Sequence, residues 1–171
     1  NKGIRVKAYR DNKISFTIKN LGDFTSKIQK LEKGTLAFIE GPFGKFSYEE
    51  ASSKKQIWIA GGIGITPFLS MAKSIVKENG YDVDLYYCVR NPREAVYLSE
   101  LEKLNNPQIK IIPHFSDTDG FINANIIKEK SGLDDKSIFI CSPVPMIKAL
   151  KKQFKNNGIL TNAIYSEEFS L

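Results

Sequence analysis

Gly61, Gly62, Gly64, Thr66 and Pro67 lie in the stretch Ile57-Trp58-Ile59-Ala60-Gly61-Gly62-Ile63-Gly64-Ile65-Thr66-Pro67-Phe68-Leu69. Their types and spacing suit a phosphate. Glycines lack Cβ, so the backbone can turn sharply and come close to a ligand. A helix that starts straight after them offers unpaired N–H groups and the positive end of its dipole. Together these make a ready diphosphate site. Counted from Gly62, the stretch is nearly Gly-x-Gly-x-x-Gly, with Pro67 in place of the third glycine. Proline is at ease in a first helical turn, where its missing N–H has no partner to lose. The same residues also fit a plain tight turn. The acidic residue that ordinarily holds a ribose at the tip of the next strand is absent, because the tip here is Cys88-Val89-Arg90; that arrangement is excluded.

Cys141 is the second candidate. It ends the run Ser137-Ile-Phe-Ile-Cys141 and precedes Ser142-Pro143-Val144-Pro145. At the carboxyl end of a parallel strand such a residue faces a ligand crevice. No base lies near it in sequence, so it does not read as a covalent nucleophile. Cys88 sits in a similar apolar run and reads as core. Two cysteines and one histidine, His114, make neither a disulfide framework nor a metal site.

These residues need elements to hold them. Ile57, Trp58 and Ile59 read as a buried strand. Ile65, Phe68, Leu69, Ala72, Ile75 and Val76 fall on one face of a helix. From there the chain alternates strictly: strands over 56–60, 82–89, 108–115, 137–141 and 159–165, helices over 65–79, 93–105, 122–131 and 144–157. Pro92, Pro143 and Pro145 open helices, and Gly80 and Gly158 end them. Five strands with four crossovers predict an α/β fold with a parallel, doubly wound sheet. Earlier, residues 3–9 and 13–19 alternate as a hairpin around Asp11-Asn12. A short helix follows, capped by Asp23 or Thr25 and ended by Gly34. Thr35 to Glu40 reads as a further strand, Gly41 to Phe46 as turns, and 47–55 as a polar linker. The expected division is therefore 1–46, 47–55 and 56–171.

The chain has 171 residues, 42% hydrophobic and 26% charged, in keeping with a soluble globular protein. No apolar run reaches the roughly 20 residues of a membrane span. No signal-peptide pattern opens it, and Asn1 in place of methionine reads as the start of a cut piece. The net charge of +6 comes from 25 basic and 19 acidic residues and suits an anionic small ligand or an acidic protein. The lysines are scattered without interleaved aromatics, which argues against nucleic acid.

Four passages in order resemble the ferredoxin–NADP reductase superfamily, and within it the dehydrogenase region of the ferric reductase and NADPH oxidase branch. They are Leu21-Gly22-Asp23-Phe24-Thr25, Gly41-Pro42-Phe43-Gly44-Lys45-Phe46, Gly61-Gly62-Ile63-Gly64-Ile65-Thr66-Pro67 and Cys141-Ser142-Pro143-Val144-Pro145-Met146. The ending Tyr165-Ser166-Glu167-Glu168-Phe169 also matches. The resemblance implies the last part of an antiparallel FAD barrel, here 1–46, followed by a whole NAD(P) domain. The family's Arg-x-Tyr/Phe flavin strand has no counterpart, so the resemblance implies a piece that is inactive without the complete flavin domain.

By the same resemblance, Cys141 stands beside the nicotinamide with Ser142 and Pro143, and Ser142 replaces a usual glycine. Glu168 and Phe169 come near flavin and nicotinamide, and Phe24 and Thr25 receive the flavin diphosphate. Arg90, with Arg93, is a candidate for the adenosine ribose or phosphate, or for a solvated loop. Ser116 follows the third strand, where NADP-preferring relatives continue with arginine; Asp117 here would repel a 2′-phosphate. The expectation is hydride transfer from NAD(P)H, with NADH favoured, to FAD. Electrons then go to a haem or iron domain, in a cytoplasmic protein or at the cytoplasmic face of a membrane protein. The reductase component of an oxygenase and a non-catalytic nucleotide sensor are the rival readings.

Overall fold

The computed structural model describes residues 5–10, 13–18, 20, 22–40, 44–76 and 79–169. The hairpin turn at Asp11-Asn12, Leu21 and the Gly41-Pro42-Phe43 turn lie outside them. Two strands, β1 (Arg5–Arg10) and β2 (Lys13–Thr17), pair antiparallel. Five more, β3 (Lys55–Gly61), β4 (Asp82–Val89), β5 (Ile109–Phe115), β6 (Ser137–Pro143) and β7 (Ile164–Phe169), form one parallel sheet in the order β5-β4-β3-β6-β7. The chain runs outward from β3 to one edge, then crosses back to β6 on the other side. The sheet therefore reverses between β3 and β6, which is where open α/β sheets bind ligands.

Side chains alternate across this sheet as the pleat requires. Trp58 and Ala60 of β3, Leu85 and Tyr87 of β4, and Phe139 and Cys141 of β6 join one core. Ile57, Ile59, Tyr86, Cys88, Ile138 and Ile140 join the other. The helices α2 (Ile65–Ser74) and α3 (Leu98–Glu102) cover the first face through Phe68, Leu69 and Leu101. The second face is covered by α5 (Ala124–Ser131) and α6 (Val144–Asn156), through Ile127, Ile147, Leu150 and Phe154. Two short helices complete the fold, α1 (Asp23–Ile28) and α4 (Ser116–Asp119).

Several expected boundaries move. Thr35 to Glu40 joins no ladder, and Leu36 and Phe38 are 81% and 93% exposed. An alternating run becomes a strand only where another strand receives its N–H and C=O groups, and none does so among the described residues. Neither Asp23 nor Thr25 caps α1; Gly22 occupies the N-cap, and Thr25 Oγ1 donates to its carbonyl at 3.1 Å. The 93–105 helix is a 3-10 turn at Pro92–Glu94 followed by the five-residue α3. The last strand starts at Ile164, after a 3-10 turn at Thr161–Ala163, in register with Ile138 of β6.

The polar stretch 47–55 is anchored to the sheet by Tyr48, which joins the first core. Tyr48 is 6% exposed. The buried Gln56 amide donates to the carbonyls of Tyr48 and Ser53, both at 2.9 Å, and accepts Trp58 Nε1–H at 2.8 Å. Phe46 sits edge-on to Phe68 and Phe139, each at 5.6 Å between ring centres. The hairpin is tied down by a 2.6 Å hydrogen bond between the hydroxyls of Thr17 and Tyr97. No described helix is long and apolar enough to cross a membrane.

Candidate functional site

The glycine turn forms the end of β3 and a 3-10 turn, Gly62–Gly64, that runs straight into α2. Each glycine has its own reason. A Cβ on Gly61 would stand 2.6 Å from Ser142 Cβ and 3.0 Å from Pro143 Cδ. Only a hydrogen there lets the ends of β3 and β6 close on each other. Gly62 has φ 55, a left-handed conformation, and a Cβ on it would point into open space. No side chain caps the start of α2 or of α6. Thr66 is fully buried, and its hydroxyl donates back to the Ile63 carbonyl at 3.2 Å. The backbone, not the Thr66 hydroxyl, is thus what this turn offers outward. Pro67 is the third residue of α2, in its first turn, where a proline ring fits the helix.

The register brings other expected residues alongside. Ala60 pairs with Cys141, Cys141 with Glu167, Ser142 with Glu168 and Pro143 with Phe169. Gly61, Cys141, Ser142, Pro143, Glu168 and Phe169 therefore share the carboxyl ends of three adjacent strands. Cys141 and Ser142 are both 0% exposed, while Pro143 and Glu168 are exposed. The Cys141 side chain belongs to the core that Phe46 packs on. It points to the face of the sheet from which the N-terminal segment arrives.

Arg90 and Ser116 lie just beyond the paired residues Val89 and Phe115. Arg90 Nε donates to Glu94 Oε1 at 2.7 Å, and this carboxylate pushes the guanidinium pKa up. Asp117 closes the gap between the two strand ends: its N–H donates to the Arg90 carbonyl at 2.9 Å, and its carboxylate accepts Asn91 Nδ2 at 3.2 Å. With Glu94, Asp117 and Asp119 against Arg90 and Arg93, this rim leans negative. Phe24 and Thr25 both lie on α1, far back in sequence from the glycine turn.

Sequence reasoning passed over Phe121. It is 88% exposed, directly after Gly120 at φ 70. An aromatic ring left in solvent beside a strand end can stack on a planar ring. The signal available was the Gly120-Phe121 pair interrupting an otherwise polar loop. Cys88 is buried, and burial pushes its thiol up to about 12. Among the described residues no group of His, Cys, Asp and Glu could hold a metal ion.

Comparison with known proteins bears on this geometry. The oxidoreductase NAD-binding domain family matches residues 58–152, from β3 into α6. Flavohemoprotein A of Dictyostelium discoideum is 32% identical over 143 residues, 80% of this chain and 36% of that protein. The glycine betaine monooxygenase reductase subunit of Chromohalobacter salexigens is 26% identical across 91% of this chain and 47% of its own length. The chain thus spans less than half the length of these relatives. A crystal structure of flavohemoglobin from Malassezia yamatoensis, with bound FAD and haem, has the same fold, with a TM-score of 0.79. It is 20% identical over 95% of this chain and 45% of that one.

Proposed function

Since the chain belongs to the oxidoreductase NAD-binding domain family, we propose that it is the NADH-binding part of a flavin-dependent oxidoreductase. The observation that carries the reading is the meeting of two uncapped helix starts, α2 and α6, at the point where the sheet order reverses. The residues present fit a dinucleotide: Gly62 leaves open space at the turn, and no side chain caps the 3-10 turn Gly62–Gly64 or the α2 it runs into.

NADH, when bound, supplies a hydride that reduces FAD, whose electrons pass on to haem, iron or another acceptor. The turn Gly61, Gly62, Gly64, Thr66 and Pro67 would hold the diphosphate through backbone donors. Ser142 and Pro143 would shape the nicotinamide pocket over Cys141, with Glu168 and Phe169 beside them on β7. Asp117 would accept from the adenosine ribose hydroxyls and repel a 2′-phosphate, which favours NADH over NADPH. Residues 1–46, with Phe24 and Thr25, would belong to the flavin domain, 47–55 would join it to 56–171, and the whole would work in the cytoplasm. Phe46, held on the core that contains Cys141, supports a flavin domain on that face.

The name of the Dictyostelium relative favours a haem acceptor. The glycine betaine monooxygenase reductase subunit keeps an oxygenase partner as the second reading. Calorimetric titration with NADH and NADPH tests the site. NADH should bind more tightly than NADPH. Gly62→Ala should weaken NADH at least roughly tenfold, because its Cβ enters the diphosphate space, while left-handed strain costs stability only about 1–2 kcal/mol. Unchanged NADH affinity in Gly62→Ala would remove the turn from the site.

A further inference from the structure

His114 is the one histidine of the chain and does not enter the reading above. It is 2% exposed, on β5 opposite Cys88 of β4. A carbonyl only accepts, so its Nε2 carries the hydrogen and donates to the Gly120 carbonyl at 2.8 Å. Its Nδ1 stands 3.9 Å from Asp119 Oδ2. The same carboxylate accepts Phe115 N–H at 3.1 Å and the Thr118 hydroxyl at 3.0 Å. The Phe115 N–H, and after it the Thr118 hydroxyl, hold the Asp119 carboxyl below its usual range.

The ring bond fixes the Gly120 end of segment 115–120, and the Asp119 carboxylate, against the same ring, closes the segment back onto Phe115 and Thr118. Gly120 then reverses the chain at φ 70, so that Phe121 is 88% exposed while Ile122 is only 9% exposed. A buried imidazole gives up its hydration, and an apolar side chain would fill the same space without that cost. What the imidazole adds is a fixed position for the Gly120 carbonyl.

We propose that His114, together with Asp119, is a positioning residue for coenzyme binding: the pair fixes the 116–121 loop so that Asp117 and Phe121 are held at the rim for the adenosine half of the dinucleotide. This rests on the NADH-binding reading. A loop ordered beforehand need not be ordered by the ligand, so affinity rises without any contact from His114 itself.

Two amides separate this role from mere packing. In His114→Gln the side-chain amide nitrogen reaches about where Nε2 stood and can donate to Gly120. In His114→Asn it reaches only the Nδ1 position. Both variants should lower the melting temperature. Only His114→Asn should weaken ADP-ribose, read by calorimetry on the folded protein, by about tenfold, with His114→Gln within about threefold of wild type. Phe121→Ala should also weaken ADP-ribose, and should add little when combined with His114→Asn. If His114→Asn does not fold, Asp119→Ala takes its place in the cycle. Wild-type affinity in the folded Asn variant, or strictly additive losses with Phe121→Ala, overturns the proposal while leaving the NADH site intact. A folded wild type that binds no ADP-ribose overturns both.

Discussion

Cys88 and Cys141 lie on opposite faces of the sheet, in separate cores, and cannot bridge. Cys88 illustrates what burial does to chemistry. Its thiol is pushed up to about 12 by desolvation, from an ordinary value of 9.0. A raised native pKa means that the folded protein holds the proton more firmly than the unfolded chain. This contribution is complete below pH 9.0 and fades as pH rises toward about 12. Cys88→Ala should therefore flatten the fall of stability over that alkaline window, seen as melting temperature against pH. The native thiol should also resist alkylation at pH 8, where almost none of it is thiolate. Cys141 is buried as well, but sits where three strand ends meet. Cys141→Ala should cost about 1–3 kcal/mol through the cavity it leaves. The proposed function further predicts that, in a protein carrying both this chain and a flavin domain, the same substitution slows flavin reduction at saturating NADH by up to about 10²-fold. Stopped-flow rates set beside melting curves check this; an unchanged limiting rate with a lower melting point would leave Cys141 a core residue alone.

At the scale of elements, the glycine turn divides into a packing residue and a binding residue. Gly61→Ala would force its Cβ to within 2.6 Å of Ser142 Cβ and 3.1 Å of Met146 Sδ. Neither strand end can swing away freely, so we expect a loss of about 1–3 kcal/mol, measured by chemical denaturation. Gly62→Ala meets no atom and should cost only the left-handed strain of about 1–2 kcal/mol, and it should act on the ligand as well. The sequence showed this turn because a buried strand, glycines and an amphipathic helix leave period and composition signals in a row. It also showed the alternation of β and α, since each strand carries apolar residues for both faces. It did not show which glycine packs and which opens, because that depends on how closely β6 approaches β3. Nor did it separate Thr35–Glu40 from a true strand, since alternation alone says nothing of a partner. Ile164 as the start of β7 was also hidden: the apolar residues Ile159 and Leu160 precede it, and only pairing with β6 fixes the register.

At the scale of the whole molecule, the proposed binding residues gather at one end of one sheet. The carboxyl ends of β3, β6 and β7 carry the glycine turn, Cys141 to Pro143 and Glu168, and those of β4 and β5 carry Arg90, Ser116 and Asp117. The opposite end holds a polar basin lined by Ser53, Lys128, Asp134, Asp135, Lys136 and Asn157, to which the proposed function gives no role. The two ends are far enough apart for a residue-resolved titration to tell them apart. Amide ¹H–¹⁵N spectra recorded while NADH is added report which end of the sheet takes the dinucleotide. The expected result is that the largest shifts fall on Gly62, Ile63, Gly64, Ile65 and Thr66, with Ser142, Ser116 and Asp117 following at the same NADH concentration. Shifts confined to residues 132–137 and 157–160, with the glycine turn unmoved at saturation, would contradict it.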